Sequence, residues 1–492
     1  MSLPALSVVD YILLVLLLLS SAAIGIVFGF IKSKKNSAKE FLLADGGMGV
    51  FPTAMSIMVS FISAITLLGT PNEVYLNGTM YCYAAISWTI ASVVAALVFM
   101  PKFRAMGFTS AYNYLEVRFD RSVRMAASLM FSLYMLIYMA LVLYAPALAL
   151  SQTTGLNIWL SVISIGVICT FYSSIGGMKA VIWTDVLQAV IMFVGMLAAI
   201  IQGLIVLGGL KRTFSLAYQG GRIELNNVSL DPRTRHTVWS FLIGNSFNAL
   251  NLYGFNQTQI QRYMCVKSTR AAQHALFINA VGVACIIILS GIMGLVIYAY
   301  YVGCDPYMAG YINDRDQTFP YFVMEVLGSK KGLPGIFLAC IFSGSLSTIS
   351  SGLNSLTAVL IEDIYKGLLR RQMTDERQGF ISKIFSVILG AVVMALTYIV
   401  SNLGSIINAA ISLSGVLSGP IMGIFMLGFF FPRVNARDAL IGFLCGMAMV
   451  IWIFLGAQFT KNQRKSSQLP LLTVNCVNLT IANTTTIETT IE

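Results

Sequence analysis

The stretch Ser343-Gly-Ser-Leu-Ser-Thr-Ile-Ser-Ser351 places six hydroxyl groups within nine positions. It lies in an otherwise apolar run, from about Leu333 to Leu360, that is long enough to cross a bilayer. Hydrocarbon penalises polar groups without partners, so these hydroxyls need a neighbouring helix or a cation. Neutral hydroxyl and carbonyl oxygens suit a hard cation such as Na⁺, because they replace its hydration shell without holding it too tightly to release.

Helix packing is the alternative explanation for these hydroxyls. Ser343, Ser347 and Ser351 follow the small-xxx-small spacing that lets helices approach closely. Ser347 and Thr348, however, are adjacent, which packing does not require. This pair therefore favours an ion site, and most of the other hydroxyls are interpreted as packing residues.

The composition indicates a polytopic membrane protein. Of 492 residues, 57% are hydrophobic and 10% are charged, whereas soluble proteins contain about 25% charged residues. The mean hydropathy is +0.80. Apolar runs of about 20 residues predict an all-α membrane domain with about twelve spans. The predicted spans are roughly 11–31, 50–70, 81–100, 125–151, 157–178, 184–209, 238–258, 277–302, 334–361, 380–402, 406–431 and 438–457.

Loop charges predict the orientation of these spans. Lys32, Lys34, Lys35 and Lys39 follow the first span, so the positive-inside rule makes that loop cytoplasmic and both chain termini extracellular. With this assignment, the 31 Lys and Arg residues divide into 20 inside and 11 outside. The net charge of +11 is thus attributed to membrane topology. No basic stripe with interleaved aromatic residues is present, which argues against nucleic-acid binding.

The predicted outer segments carry candidate modification sites. The glycosylation sequons at Asn227, Asn478 and Asn483 all fall on the outer side. Cys304 and Cys476 are the two cysteines in outer segments. Because the outside is oxidising, a disulfide between them is one interpretation, and two unrelated free thiols are the other.

Two predicted spans combine polar residues with helix breakers. The second contains several hydroxyls and ends at Gly69-Thr-Pro71, and the seventh is rich in Asn and Gln around Gly244 and Gly254. Each begins a set of five spans, and the two sets enter the membrane from opposite sides. This arrangement predicts an inverted repeat with broken helices and a binding site near the membrane midplane. The amides of the seventh span, Asn248 among them, either line a substrate path or join helices by hydrogen bonds.

Asp185 is a carboxylate at the predicted inner start of the sixth span. Carboxylates in or near the membrane are costly and usually functional, and one at a cytoplasmic helix end can attract a departing cation. The alternative is a helix N-cap or a first-turn acid that interacts favourably with the helix dipole. Lys179 is either its partner or simply an inside charge.

The sequence contains no HExxH, Walker A, GxGxxG or GxSxG motif, and no evident set of acid, base and nucleophile. His236 and His274 lack acidic or cysteine neighbours at metal-ligand spacing. We therefore expect neither an enzyme nor an ATP-driven pump.

Several segments resemble the sodium/solute symporter family. They are Asp10-Tyr11, Phe41 to Asp45, Ser60 to Tyr75, Gly176 to Gln188, Tyr253 to Tyr263 and Ser343 to Asp363. The resemblance implies the leucine-transporter fold, a five-plus-five inverted core that works by alternating access. It also implies a Na⁺ site between spans 2 and 9, and it matches Asp185 to the family's acid on the inner sodium exit path. The implied Na⁺ ligands are the carbonyls of Val59, Ile62 and Gly344 and the hydroxyls of Ser347 and Thr348.

The resemblance also narrows the substrate class. Positions that match the sugar-coordinating residues of the family are Thr66, Ala85, Ala249 and Leu252. Three of them are small or apolar and cannot hold a polyol, because such discrimination depends on buried polar partners. Together with Asn248, these four are the candidate substrate-path residues. The run from Ala64 to Tyr75 resembles instead the branch that holds the monocarboxylate, multivitamin and iodide symporters.

We therefore expect a plasma-membrane symporter that imports a small organic anion, a monocarboxylate, together with Na⁺. Iodide or a carboxylated vitamin is the alternative substrate. A non-transporting sensor or a passive sodium channel on the same core is the alternative from another functional class. The expected parts are an extra N-terminal helix with the first cytoplasmic loop (1–46), the five-plus-five transport core (47–432), an additional C-terminal helix (433–457) and a disordered extracellular tail (458–492).

Overall fold

The structure, a computed structural model, describes residues 6–31, 37–155, 157–231, 234–368, 373–401, 412, 414–459, 469–474 and 476. Within these residues the chain is helical and has no strand beyond one isolated bridge between Met48 and Val266. The α-helices are α1 (Val8–Ile26), α2 (Ala38–Leu43), α3 (Val50–Val59), α4 (Ala64–Asn77), α5 (Ala84–Val94), α6 (Met100–Met106), α7 (Asn113–Arg118), α8 (Arg121–Thr154), α9 (Ile158–Leu207), α10 (Leu210–Gln219), α11 (Ser246–Leu250), α12 (Gln257–Met264), α13 (Thr269–Tyr300), α14 (Thr318–Leu327), α15 (Leu333–Val359), α16 (Asp375–Val400), α17 (Gly419–Phe430) and α18 (Ala436–Phe459).

Polar caps begin several of these helices. The side chains of Asp120, Asn157, Asn256 and Ser268 accept hydrogen bonds from backbone N–H groups in the first turns of α8, α9, α12 and α13. Such caps satisfy N–H groups that have no partner inside the helix. Long apolar helices therefore begin where the sequence supplies a short polar side chain.

Eight helices in the described part of the chain are long and apolar enough to cross a membrane, and a bent pair, α3 with α4, makes a ninth candidate. The predicted seventh span is not among them, because its polar sequence is interrupted by π-helical turns at Ser240–Asn245 and Asn251–Phe255. The predicted eleventh span is described only from its later part, as the shorter apolar helix Ser414–Phe430. The helices follow the predicted order along the chain.

The helix α9 contains two of the predicted spans. Its 50 residues would extend for about 75 Å at 1.5 Å per residue, against a hydrocarbon thickness of about 30 Å. Gly177 interrupts it with φ 55° and ψ −155°, a conformation that a residue with a Cβ atom rarely adopts. A Cβ atom there would also lie 2.7 Å from the Phe41 carbonyl oxygen. The break therefore needs glycine for both its backbone angle and its contact with α2.

The helix α15 is the central element and is almost wholly buried. It packs against α1, α4, α8, α9 and α16. Asp10 of α1 is buried, and its Oδ1 accepts hydrogen bonds from the N–H groups of Gly332 (3.0 Å) and Gly335 (2.8 Å) at the start of α15. Placing a carboxylate at a helix N-terminus satisfies orphan donors and complements the helix dipole. The extra N-terminal helix is thereby joined to the helix that carries the hydroxyl cluster.

The expectation of a disordered extracellular tail from residue 458 stays a prediction, but residues 469–474 within it contact the helical core. Residue Leu469 lies at the C-terminal end of α4, where its N–H donates to the Leu76 carbonyl at 3.2 Å. The guanidinium of Arg222 is buried and donates to the carbonyls of Tyr75 (3.2 Å) and Pro470 (2.9 Å). This burial lowers the pKa of Arg222. Backbone groups and one buried cation contact the tail at these residues, which composition does not reveal.

The structure joins Cys304 and Cys476 in a disulfide, with their Cα atoms 4.9 Å apart. Beside it, the Asp305 N–H donates to the Leu472 carbonyl at 2.9 Å. Asn227 is partly buried in the loop after α10, and its carbonyl accepts from the Val238 N–H at 2.9 Å. The other two predicted glycosylation sites, Asn478 and Asn483, lie outside the described residues.

Candidate functional site

The break in the second span lies directly against α15. The helices α3 and α4 meet at an angle of 58° across residues 60–63. A Cβ atom on Gly344 would lie 2.8 Å from the Ala64 nitrogen and 3.0 Å from the Ser63 carbonyl carbon. A side chain at residue 344 would therefore separate the broken span from α15. Glycine is required here for close approach, because the bent backbone packs where a Cβ atom would be.

The atoms expected to bind Na⁺ are gathered at this contact. The Ser347 hydroxyl donates to the Val59 carbonyl at 2.9 Å and approaches the Gly344 carbonyl at 3.2 Å. The Thr348 hydroxyl donates to the same Gly344 carbonyl at 3.0 Å. Ile62 is buried within the break. Two carbonyls and two hydroxyls thus share one small region. All four supply oxygen atoms of the kind that hard cations prefer as ligands.

Most of the remaining hydroxyls in the cluster form hydrogen bonds to other groups. Ser345 donates to the Val142 carbonyl on α8 at 2.8 Å. Ser350 and Ser351 donate to the Ser347 carbonyl at 3.1 Å and 2.5 Å. Ser343 is buried, and its hydroxyl has no partner among the described residues. Ser347 thus donates to a backbone carbonyl of the broken span, while the Ser351 hydroxyl lies 3.4 Å from the Ser60 hydroxyl and accepts from Nη2 of Arg262.

Asp185 lies eight residues beyond the Gly177 break and is fully buried inside α9. Its Oδ2 accepts from the Ser56 hydroxyl at 2.5 Å and from Nη2 of Arg262 at 3.3 Å. Nε of Arg262 donates to the same Ser56 hydroxyl at 2.7 Å. The N-cap interpretation of Asp185 is therefore wrong, because its carboxylate bonds to two other helices and not to the start of its own.

Lys179 is not the partner of Asp185. Its ammonium lies 2.7 Å from Glu40 and 3.3 Å from Asp45, at the inner loop after α1. The buried partner is Arg262, which the sequence analysis counted only as an inside charge. Its burial could not be recognised from the loop-charge pattern. One available signal was its position at the end of a polar run, Gln257-Thr-Gln-Ile-Gln261, that continues a broken span.

The Asn and Gln residues of the seventh span divide between two roles. Gln259 and Gln261 donate to the carbonyls of Ile57 (3.0 Å) and Leu42 (2.6 Å), so they join helices. Gln257 likewise binds the backbone of the α6–α7 loop. Asn245 and Asn248 instead line a cavity. The inner half of the span thus holds helices together while the outer half faces open space.

This cavity of about 280 Å³ runs from the break in the second span to the segment before the seventh. Ser63, whose buried hydroxyl has no partner among the described residues, lies at one end, and Arg235 and His236 lie at the other. Aromatic rings supply much of the wall between them. The aromatic lining residues are Phe61, Tyr81, Trp88, Tyr134, Tyr138 and Phe241. Such a wall, with a few polar groups, is typical of a small-molecule site.

Three of the five candidate substrate-path residues line this cavity, namely Thr66, Asn248 and Leu252. Ala85 and Ala249 are buried and do not line it. Position 249 follows Asn248 on the helix and therefore faces a different direction. Arg235 and His236 also line the cavity, although neither was among the candidate substrate-path residues.

The sequence profile of the "Sodium:solute symporter family" matches residues 41–446 of the chain. "Sodium-coupled monocarboxylate transporter 1" of Homo sapiens is 41% identical over 449 residues, covering 91% of this chain and 73% of the relative. "Sodium-coupled monocarboxylate transporter 2" of Mus musculus is 40% identical over 476 residues, covering 96% of this chain and 77% of the relative. "Sodium/iodide cotransporter" of Homo sapiens is 38% identical over 480 residues, covering 97% of this chain and 74% of the relative.

A solved structure of a Na⁺-coupled sialic acid symporter, described as a substrate-bound outward-open state, superposes with a TM-score of 0.81. It is 24% identical and covers 94% of this chain and 100% of its own. A nucleobase-cation-symport-1 family transporter superposes with a TM-score of 0.52 at 13% identity, covering 87% and 96%. These likenesses identify the fold and confirm the predicted all-α five-plus-five architecture.

Proposed function

We propose, from the premise that this chain belongs to the sodium:solute symporter family, that its substrate is a small monocarboxylate. The family makes the protein a transporter, with Na⁺ as the co-transported ion and no enzymatic activity. The expectation of a sodium-coupled symporter for a small organic solute is thereby confirmed. The proposal adds the substrate class, the Na⁺ ligands and the coupling between them.

One observation carries the proposal: the same break in the second span borders both the cluster of oxygen donors and the cavity. On one side of the break, Val59 shares a hydrogen bond with Ser347. On the other side, Ser63 begins α4 and lines the cavity. A cation bound on one side and an anion bound on the other would both stabilise the same bent backbone.

The cavity supports an anionic, partly apolar substrate. The first N–H groups of α4 carry the positive end of the helix dipole, and a Na⁺ ion beside them would add a full charge. A carboxylate near Ser63 would be stabilised by both the helix dipole and the Na⁺ charge. The alkyl part of the substrate would pack against the aromatic wall. Several of the similar proteins are sodium-coupled monocarboxylate transporters.

Na⁺ would couple by binding the bent, outward-facing state better than the inward-facing one. The ligands proposed are the carbonyls of Val59, Ile62 and Gly344 and the hydroxyls of Ser347 and Thr348. Asp185, with Arg262, would lie on the inner exit route. A membrane potential of 100 mV supplies about 2.3 kcal/mol for each Na⁺ that enters.

The protein is a multi-pass membrane protein, and we place it in the plasma membrane with both termini outside. The contacts of the outer segments support this orientation. Arg222, Cys304 and residues 469–474 lie together at the outer end of α4. Lys179 pairs with Glu40 at the opposite, inner end. Glycosylation of Asn227, Asn478 and Asn483 belongs to the same proposal.

Uptake of radiolabelled lactate, butyrate, nicotinate, biotin and iodide, with and without replacement of Na⁺ by choline, tests the substrate class. Cells that express the protein should accumulate lactate or butyrate only in Na⁺. Iodide uptake alone would instead assign the function named for the 38%-identical sodium/iodide relative, and biotin uptake alone would assign a carboxylated vitamin. A Na⁺ current without uptake of any of the five would contradict the symport proposal and indicate a passive channel. Failure to transport any of the five would refute the monocarboxylate proposal.

A further inference from the structure

Two polar residues that line the cavity, Arg235 and His236, belong to a cluster of four polar side chains. The carboxylate of Glu73, on α4, accepts from Nε and Nη2 of Arg235 at 2.8 Å and 3.0 Å. It also contacts Nε2 of His236 at 2.8 Å and accepts from Nδ2 of Asn77 at 2.7 Å. Glu73 is therefore a fully partnered, buried anion held by a two-pronged guanidinium.

Arg235 faces the cavity while it holds Glu73. Its side chain is 45% exposed, against 7% for Glu73, and it lines the cavity together with His236. Among the described residues, the hydrogen bonds of Arg235 to Glu73 use Nε and Nη2 and leave Nη1 unused. One edge of a planar, permanently charged group thus remains available to a carboxylate that enters from outside.

We propose that the free edge of Arg235 is an outer docking site for the carboxylate of the substrate, and that Glu73 on the other edge weakens this binding by partly neutralising the guanidinium. This inference rests on the proposed function, which it deepens by assigning where the anion first binds. The guanidinium suits a flat carboxylate better than a spherical anion, because its two N–H groups match two oxygens. The anion would then move along the aromatic wall toward Ser63.

The rival explanation is purely mechanical. Glu73 belongs to the outer half of the second span, and Arg235 lies just before the seventh, so their pair could simply lock two mobile elements. The two explanations predict opposite consequences for the two partners. If the pair is only a mechanical lock, removing Arg235 and removing Glu73 should have the same effect on transport. For a docking site, removing Arg235 weakens anion binding, whereas removing the charge of Glu73 frees the guanidinium and strengthens it.

The test is initial-rate butyrate uptake against butyrate concentration at saturating Na⁺, for wild type, Arg235→Gln, Arg235→Lys and Glu73→Gln. Arg315→Gln is the matched control, since Arg315 is an outer arginine near an acid, 3.9 Å from Asp305, and does not line the cavity. Surface biotinylation normalises the amount of transporter in the plasma membrane.

We expect Arg235→Gln to raise KM about 10-fold with less than about a two-fold change in the maximal rate, as for one lost charge-assisted contact. Arg235→Lys should give an intermediate KM, Glu73→Gln a KM below that of wild type, and Arg315→Gln no change.

Equal losses of maximal rate in Arg235→Gln and Glu73→Gln, or an unchanged KM in Arg235→Gln, would overturn the docking site. If Glu73→Gln fails to reach the surface, the KM ratio of Arg235→Lys to Arg235→Gln decides. A ratio of one overturns the proposal. Absence of Na⁺-dependent butyrate uptake in wild type would instead refute the proposed function itself.

Discussion

Asp185 and Arg262 are two oppositely charged side chains with no exposure to solvent, 3.3 Å apart on different helices. Burying a charge is costly unless it is paired and hydrogen-bonded. Ser56 accepts from Arg262 and donates to Asp185, and so connects the pair to the broken second span. Oδ1 of Asp185 has no partner among the described residues. Within the described part of the chain, one carboxylate oxygen is thus held by two partners, while the other is buried without one.

Replacement of Asp185 by Asn should destabilise the protein by about 3–5 kcal/mol, because the Arg262 charge stays buried without its partner. The double variant Asp185→Asn/Arg262→Gln should recover most of this loss, since both charges are gone. Thermal unfolding in detergent measures the stability of each. Lys179→Gln is the control, because the Lys179 side chain is 22% exposed whereas Arg262 is fully buried, so its loss should cost less than that of Asp185.

Activity separates the transport role from the stabilising role. If Asp185 attracts departing Na⁺, the stable double variant should still turn over more slowly than wild type while its KM for substrate stays the same. Wild-type turnover in the double variant would show that the pair only stabilises the fold. A single Asp185→Asn variant as stable as Lys179→Gln would contradict the cost assigned to the buried arginine.

At the scale of elements, α1 is joined to α15 through one carboxylate. Asp10 receives the N–H groups of Gly332 and Gly335 at one oxygen, and the Ser7 N–H (2.8 Å) and hydroxyl (2.6 Å) at the other. The expected core begins after α1, at residue 47, yet this contact attaches α1 to the helix that bears the proposed Na⁺ ligands. The N-terminal helix therefore contributes to the geometry of the core.

Asp10→Asn should lower the free energy of unfolding by about 1–3 kcal/mol, because an amide cannot accept all four hydrogen bonds and two buried donors lose a charged partner. Thermal unfolding in detergent checks this. The matched control is Asp438→Asn, an exposed acid in the first turn of α18, for which we expect a change within about 0.5 kcal/mol. Equal effects of the two substitutions would contradict the role of Asp10 as the link between α1 and α15.

At the scale of the whole molecule, much of the fold follows from the sequence alone. Apolar runs give the order of the spans, and the polar second and seventh spans indicate where helices break. The hydroxyl pair Ser347 and Thr348 stands out because charge-free oxygens are costly in hydrocarbon. These features depend on local composition and spacing, which a sequence displays directly.

Other features depend on contacts between distant residues, and the sequence could not reveal them. Arg262 and Lys179 are both cations near predicted inner ends, yet one is buried with Asp185 and the other pairs near the surface. Arg235 looks like an ordinary loop charge until Glu73 and the cavity lie beside it. Leu469 in the tail contacts Arg222, whose position 247 residues earlier gives no local signal.

The central claim is that Na⁺ binds between the broken second span and α15 and thereby favours the state that accepts substrate. Binding of ²²Na⁺ to the purified protein measures this directly, in wild type, in Ser347→Ala/Thr348→Ala and in the control Ser345→Ala/Ser350→Ala, whose hydroxyls bond to carbonyls away from the break. We predict saturable binding in wild type and in the control, and a Kd at least about 10-fold weaker in the first double variant, equivalent to about 1.4 kcal/mol. A Kd equal in all three proteins would contradict the account.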